Sequence, residues 1–583
     1  MTSGDRSPAG PDTPGSTTAA EANDHAAALY EDYQRTGNIQ RLQTAITLLS
    51  QALELIQYAQ PARAMCLSNL GVALSTRFDL SGQEADLDSA VTLLQQAVEA
   101  TPPDHPDRPR MLSNLGNALQ TRFAHTGDGA DLDEAIAVGR QAVDATPVGH
   151  PGRAMYLSNL GGALQRRFER TKDLADLDAA ITAIWQAVAA GPAGHPNRAG
   201  YLSNLGNALQ TRFERTGASM DLEEAIAVGR QAVDATPADH PAWPGMVSNL
   251  AAAWQARFER TGASMDLEEA VTLFRQAVEA APADHPDWPG MVSNLAAALQ
   301  ARFERTGAMA DSYAAINAAQ TALASTPTDA GFLPARASAW SNLSAMLSGL
   351  GQREEALAAS TEAVNAYRDL AAARPDAFLS NLAMSLNNLS VSLADLGRQE
   401  EALAASTEAV DIRRRLAAAR PDAFSPDLAG SLNNLSLRLA DLGRREEALA
   451  ASTEAVDIRR RLAAARPDAF RPDLAGSLNN LSVDLGDLGR REEALAAIEE
   501  AVAIRRELAA ARPDAFRPDL ATSLNNLSLR LADLGRREEA LAAIEEAVAI
   551  RRELAGRWPD AHQHELDESI QVLAWLTGPE EEP

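Results

Sequence analysis

The chain has 583 residues, of which 52 are basic and 80 acidic, and a formal net charge of −28. This charge disfavours binding to a phosphate backbone or an anionic lipid surface, so neither nucleic acid nor a membrane is an expected partner. The apolar fraction of 45% is rich in alanine and only 4% of residues are aromatic, which favours closely packed helices. No run of about 18 uncharged apolar residues occurs, so no membrane span is expected.

The first 24 residues are rich in proline, glycine, serine and threonine and lack the apolar core of a signal peptide. Residues 1–24 are therefore predicted to form a disordered leader. Cys66 is the single cysteine, so no intrachain disulfide can form. This cysteine usage is typical of a reducing compartment and predicts a cytoplasmic location.

Residues 25–331 are predicted to form seven helical hairpins, which we call first-type units. The earliest copy is recognisable in Tyr33–Leu53. Each hairpin has a helix A, a loop and a helix B, and in one copy Asp221 is predicted to cap helix B, with Glu224 completing a capping box. The period is 45 residues, set by a Ser-Asn-Leu tripeptide that begins at Ser68, Ser113, Ser158, Ser203, Ser248 and Ser293.

Residues 332–563 are predicted to form five further hairpins, the second-type units, with a period of 46 residues. In the stretch "SLNNLSLRLADLG", Leu432, Leu435 and Leu439 fall on one face of helix A. A glycine then ends the helix. The next helix A is predicted to start at a proline such as Pro426, which suits the first helical position.

The chain ends in a predicted capping helix at residues 564–577. Leu566 and Ile570 lie on one of its faces, whereas Asp567 and Glu568 lie on the opposite face. Residues 578–583 are predicted to be a disordered tail. The whole pattern predicts an all-α solenoid of about twelve hairpins and a cap.

These units resemble tetratricopeptide repeats, whose pattern is W-x2-L-G-x2-Y, then A-x3-F, then P. The second-type units resemble the kinesin light chain subclass. The first-type units are similar to arrays that accompany caspase-like protease domains in bacteria and fungi. The resemblance implies a right-handed superhelix in which the helices A line a concave groove. The residues at the pattern positions are Leu202, Leu205, Gly206, Leu209, Ala225, Gly229 and Pro237 in one first-type unit, and Leu432, Leu435, Ser436, Leu439, Ala448 and Ser452 in one second-type unit.

Asparagine precedes the repeated leucine of helix A in both repeat types, and the resemblance implies that this position faces the groove. In kinesin light chains such asparagines hold the backbone of an extended peptide, because an amide both donates and accepts hydrogen bonds. A structural alternative remains, in which each asparagine bonds the neighbouring unit and fixes the stacking. The candidate ligand-binding residues are Asn342, Asn388, Asn434, Asn480 and Asn526 in the second-type units, and Asn114, Asn159, Asn204 and Asn249 in the first-type units.

A row of aspartates repeats near the end of helix A in the second-type units, and it is predicted to run alongside the asparagines. If these carboxylates contact the ligand, they select a cationic one. The alternative is a solvated helix face. The row consists of Asp395, Asp441, Asp487 and Asp533.

Other polar clusters are predicted to be structural. Five histidines precede prolines, one in each of five units, which is too far apart to share a metal ion, so they are predicted turn residues. Arginine clusters such as Arg413–Arg415 are predicted to form a solvated, salt-bridged outer face. No P-loop and no hydrolase or zinc-protease motif occurs. We therefore predict no enzymatic activity, cofactor or metal.

The sequence thus predicts a non-catalytic scaffold that binds an extended peptide or partner segment in its groove. The partner is a protein, with basic segments if the aspartates contribute. One alternative is a regulatory or sensor subunit that controls an enzyme in trans, such as a caspase-like protease or a defence effector. End-to-end self-assembly is disfavoured by the charged cap at Asp567 and Glu568.

Overall fold

A computed structural model describes residues 14–56, 61–191, 194–195, 197–282, 285, 287–328 and 332–578. Within these ranges the regular secondary structure is α-helical. The helices are α1 (Pro14–Thr36), α2 (Ile39–Leu55), α3 (Pro61–Ser81), α4 (Glu84–Glu99), α5 (Arg108–Thr126), α6 (Gly129–Asp144), α7 (Arg153–Thr171), α8 (Leu174–Ala190), α9 (Arg198–Thr216), α10 (Ser219–Asp234), α11 (Trp243–Thr261), α12 (Ser264–Ala280), α13 (Trp288–Thr306), α14 (Met309–Ser325), α15 (Leu333–Gly349), α16 (Arg353–Ala373), α17 (Pro375–Asp395), α18 (Gln399–Ala419), α19 (Pro421–Asp441), α20 (Arg445–Ala465), α21 (Pro467–Asp487), α22 (Arg491–Ala511), α23 (Pro513–Asp533), α24 (Arg537–Arg557) and α25 (Pro559–Thr577).

Consecutive helices pair into hairpins, from α1 with α2 to α23 with α24, and α25 packs on the last of them. Leucines and alanines at helical spacing form the buried seams, as in α19, where Leu432 is fully buried and Leu439 is 5% exposed. The predicted all-α array of hairpins with a terminal helix is confirmed. In the described part of the chain, no helix has the length and apolarity that crossing a membrane requires.

Two compact units divide the chain, Met1–Asn204 and Leu205–Pro583. The boundary lies inside α9 and does not coincide with the change of repeat type near residue 331. The larger unit therefore contains repeats of both types.

Helix α1 begins at Pro14, inside the segment that was predicted to be a disordered leader. Ala26 and Leu29 of this helix are buried in the apolar cluster that α1 forms with α2 and α3, and the alanine-rich stretch before them has high helix propensity. Residues 1–13 and 579–583 lie outside the described residues.

The starts of the second-type helices A differ from the prediction. Helix α19 begins at Pro421, and Pro426 lies inside it. Pro426 lacks an N–H, so only the hydrogen bond to the carbonyl of Asp422, four residues earlier, is lost. Its neighbour Asp427 is consequently a residue of the second helical turn.

Asp221 is not the N-cap of its helix B, so that prediction is wrong. Helix α10 begins at Ser219 with Ala218 as N-cap, and the carboxylate of Asp221 is buried. It accepts two hydrogen bonds from Arg212, from Nε at 2.8 Å and from Nη2 at 2.7 Å. The same two-bond pair closes five other first-type hairpins: Arg77 with Asp86, Arg122 with Asp131, Arg167 with Asp176, Arg257 with Asp266, and Arg302 with Asp311.

Lys172 follows α7 with a φ of 58°, and among the described residues it is the non-glycine residue with positive φ. Glycine stands at the equivalent position elsewhere, for example Gly127 and Gly262, with φ of 76° and 72°. A side chain in this left-handed conformation brings its Cβ against the backbone.

We therefore expect Lys172→Gly to raise the free energy of unfolding by about 1 kcal/mol. Urea denaturation followed by circular dichroism measures the change. Lys172→Ala is the control, because it removes the ammonium group above the Phe168 ring but keeps the strained Cβ. An equal gain from both variants would contradict a backbone origin.

Candidate functional site

A polar groove of about 790 Å³ crosses the helices A of four consecutive second-type units, α17, α19, α21 and α23. It lies entirely within the larger unit. Because the sequence of helix A is repeated in each unit, an equivalent pair of asparagines reaches this groove from successive units. We call it the amide groove, after Asn387, Asn388, Asn433, Asn434, Asn479 and Asn480, which line it.

Several of these asparagines hold neighbouring units together. The first asparagine of a pair donates to the following unit, as Asn433 Nδ2 does to Ser477 Oγ at 2.9 Å. The second donates to the preceding unit, as Asn388 Nδ2 does to Ser341 Oγ at 3.1 Å. These bonds match the structural alternative, in which an asparagine fixes the stacking of neighbouring units. Asn388 has this role.

The first-type asparagines make the same backward bond. Asn249 is half-buried and also has an interaction partner. None of these asparagines is among the residues that line the amide groove. The first-type bonds run from Asn114 to Ser68 at 3.1 Å, from Asn159 to Ser113 at 3.0 Å and from Asn204 to Ser158 at 3.4 Å. Asn342 of the first second-type unit makes the same bond to Ser293 of the last first-type unit, at 3.1 Å.

Asn434 and Asn480 differ from the other predicted asparagines. Both are half-buried, both line the amide groove, and their side chains make no hydrogen bond to any described residue. In the last unit, by contrast, Asn526 Nδ2 donates to Asn479 Oδ1 at 3.0 Å. The central asparagines therefore leave an amide donor and an amide acceptor facing the groove in each of two units.

Charged side chains that the sequence prediction missed also line the groove. Arg413 and Arg459 extend from helices B, and their Nη1 atoms donate to Asp427 at 2.7 Å and to Asp473 at 2.6 Å. The arginine side chains are 7% and 11% exposed, whereas the aspartates are 46% and 47% exposed. The carboxylates are thus the charges that solvent or a ligand meets.

Burial lowers the pKa of Arg413 and of Arg459, and the nearby carboxylates oppose that shift. The prediction of a solvated arginine face holds for the second arginine of each cluster: exposed Arg414 contacts Glu454 of the next unit at 2.6 Å. It is wrong for the first, because a one-residue step along a helix turns the side chain by about 100°. That angular difference was the signal available in the sequence.

The predicted aspartate row lies elsewhere. Asp395, Asp441, Asp487 and Asp533 are the exposed last residues of α17, α19, α21 and α23, and none lines the amide groove. Asp533, for example, forms an ion pair with Arg530 of its own helix at 3.1 Å.

The repeated histidines occupy turns, where His105 Nδ1 accepts the backbone N–H of Asp107 at 3.2 Å and His240 Nδ1 that of Ala242 at 3.1 Å. Among the residues that the structure describes, no three histidine, cysteine, aspartate or glutamate side chains are grouped as metal ligands would be.

A family model described as Tetratricopeptide repeat matches seven segments that together span just over half of the chain: 63–107, 198–242, 246–287, 382–420, 428–465, 474–511 and 520–564. The chain belongs to the tetratricopeptide repeat family. Repeats of this family generally mediate interactions between proteins. A model described as anaphase-promoting complex subunit 5 matches residues 298–371 of this tetratricopeptide repeat protein.

No curated protein matches the chain. Among solved structures, BtubC (BKLC) from P. vanneervenii is 22% identical with a TM-score of 0.34, covering 44% of this chain and 92% of its own. A kinesin light chain-like repeat protein from Podosopora anserina is 24% identical with a TM-score of 0.28, covering 37% and 95%.

Proposed function

We propose that this tetratricopeptide repeat protein is a non-catalytic scaffold that binds an extended segment of a partner protein in the amide groove. The observation that carries the proposal is the state of Asn434 and Asn480, whose side chains line the groove without a hydrogen-bond partner in the described chain. Polar groups in a partly enclosed site are normally satisfied by protein or water. A peptide backbone offers both the N–H and the C=O that these amides need, whatever its side chains.

The partner segment is proposed to be basic. Asp427 and Asp473 expose nearly half of their side chains in the groove, while the arginines that neutralise them are buried. Each aspartate uses Oδ2 for its arginine, which leaves Oδ1 for a ligand. Lysine or arginine side chains can donate to these oxygens in charge-assisted hydrogen bonds. The net charge of −28 also attracts a positively charged ligand at long range.

We place the protein in the cytoplasm as part of this proposal. Its single cysteine, Cys66, is buried, and burial raises the pKa of the thiol to about 11. Such a thiol stays protonated and unreactive, which suits a reducing compartment.

Two synthetic twelve-residue peptides test the proposal, one alternating lysine with serine and the other glutamate with serine. One charge-assisted contact contributes about 1.5 kcal/mol, so we expect the lysine peptide to bind at least about tenfold more tightly in calorimetry at low salt. Its affinity should fall as sodium chloride rises, because salt screens exposed charges. Tighter binding of the glutamate peptide, or no binding of either, would contradict a basic partner.

A further inference from the structure

The larger unit folds back on itself. Helix α11 contacts α23, and α13 contacts α25, although more than 200 residues separate the members of each pair. The meeting parts are the C-terminal ends of first-type helices A and the starts of second-type helices A or of the terminal helix α25. The next first-type unit along the chain meets the next element on the other side, since α11 contacts α23 and α13 contacts α25. The two sides keep this correspondence although their repeats are 45 and 46 residues long.

Arginines make the bonds across this contact. Arg466, just before α21, donates from Nη1 to the carbonyl of Arg215 at 2.7 Å. Arg512, just before α23, donates to the carbonyl of Arg260 at 3.1 Å. Both acceptors lie in the last turn of a helix, where carbonyls have no partner within the helix.

Arginines of the first-type helices A donate in the opposite direction, to carbonyls that a proline leaves without a helical hydrogen bond. Pro518 has no N–H, so the carbonyl of Asp514, four residues earlier, receives no helical bond. Arg305 Nη1 donates to this carbonyl at 3.1 Å, and its guanidinium lies 4.0 Å from the centre of the Trp558 ring. Arg215 reaches the corresponding carbonyl of Asp422 at 3.5 Å.

The glycines after the first-type helices permit this approach. Gly217 has a φ of 74°, and a Cβ built on it would lie 3.5 Å from the Cβ of Ala469. Gly262 and Gly307 face the backbone at Ala515 and Asp560 even more closely. Larger residues at these two positions would push the helices apart.

We propose that these contacts form a reversible latch that closes the larger unit and sets the curvature of its second-type repeats. The hydrogen bonds across the latch join arginine side chains to backbone carbonyls at helix ends. Each such bond contributes modestly to the free energy of closure, and water can replace it when the latch opens. Opening the latch lets the second-type units, including those that carry the amide groove, change their curvature. This inference does not depend on the ligand of the groove.

A disulfide pair tests the latch in the full chain. In Gly217→Cys with Ala469→Cys, the built Cβ separation of 3.5 Å is at the short end of the range that disulfides span, about 3.5–4.5 Å. Native Cys66 does not compete, because it is buried with a raised pKa. On mild oxidation of dilute protein we expect an intramolecular crosslink, read as a shifted monomer band in non-reducing electrophoresis. The matched control is Gly397→Cys with Ala469→Cys, since Gly397 has the same φ of 74° but no atom within 4 Å of a built Cβ.

We expect the test pair to crosslink at least tenfold faster than the control pair. Adding Arg305→Ala, Arg466→Ala and Arg512→Ala should slow the test pair at least threefold while the helical circular dichroism stays the same. Equal rates for test and control pairs would show that the latch does not form. A rate that does not respond to the three arginine changes would show that these bonds do not hold it, and either result overturns the inference.

Discussion

Replacing Asn434 and Asn480 together by alanine is expected to weaken binding of the lysine peptide about 30-fold, because two hydrogen bonds of about 1 kcal/mol each are lost. The thermal midpoint should stay nearly unchanged, since neither side chain bonds a described residue in the folded protein. Calorimetry with the lysine-serine peptide and thermal denaturation of the same preparations provide the two readings.

Asn114→Ala with Asn159→Ala is the matched control. These asparagines occupy the same place in helix A, but each donates to a serine of the preceding unit and neither lines the amide groove. We expect this control to lower the free energy of unfolding by about 2 kcal/mol and to leave peptide affinity unchanged.

A rival outcome has a specific structural basis. Asn479 Oδ1, the acceptor for Asn526, has counterparts in Asn387 Oδ1 and Asn433 Oδ1, which are buried without a hydrogen-bond partner. If Asn434 and Asn480 rotate to fill these acceptors, the double alanine variant unfolds earlier and binds the peptide as tightly as the parent. That pair of results would make the whole asparagine ladder a stacking device.

The helices could be predicted because their pattern is local. Leu432 and Leu439 recur at helical spacing and are buried, and Gly443 has a φ of 71° just after α19, where a helix stop was expected. Repetition strengthened the prediction, since a pattern that recurs in phase in so many copies does not arise by chance. The same reasoning failed for Pro426, because two prolines five residues apart both satisfy the rule for a helix start.

The groove could be predicted only in part, because its chemistry depends on neighbouring units. Asn388 and Asn434 have nearly the same sequence context, yet only Asn388 donates to a serine, Ser341. The difference lies one unit earlier, where Ser341 is replaced by Asn387 at the equivalent position. Single-helix reasoning also could not place Asp427 opposite Arg413, because that pair joins two helices.

The ion pair between Arg257 and Asp266 is expected to make a large contribution to the stability of its hairpin. Asp266 is 6% exposed and accepts from Arg257 Nε at 2.9 Å and Nη2 at 2.8 Å. Its hydrogen bond raises the pKa of Arg257, which stays charged. Asp266→Ala leaves that guanidinium without its main partner, and we expect the free energy of unfolding to fall by about 3 kcal/mol in urea titration.

Glu223→Ala is the matched control for this pair. Glu223 contacts the same arginine, at 3.0 Å from Nη1, but its side chain is 48% exposed, so its loss should cost no more than about 1 kcal/mol. Arg257→Met with Asp266→Leu should regain most of the lost stability, because it removes both charges together. If Asp266→Ala costs no more than Glu223→Ala, the hairpins are closed by apolar packing, and the repeated arginine–aspartate pair has another role.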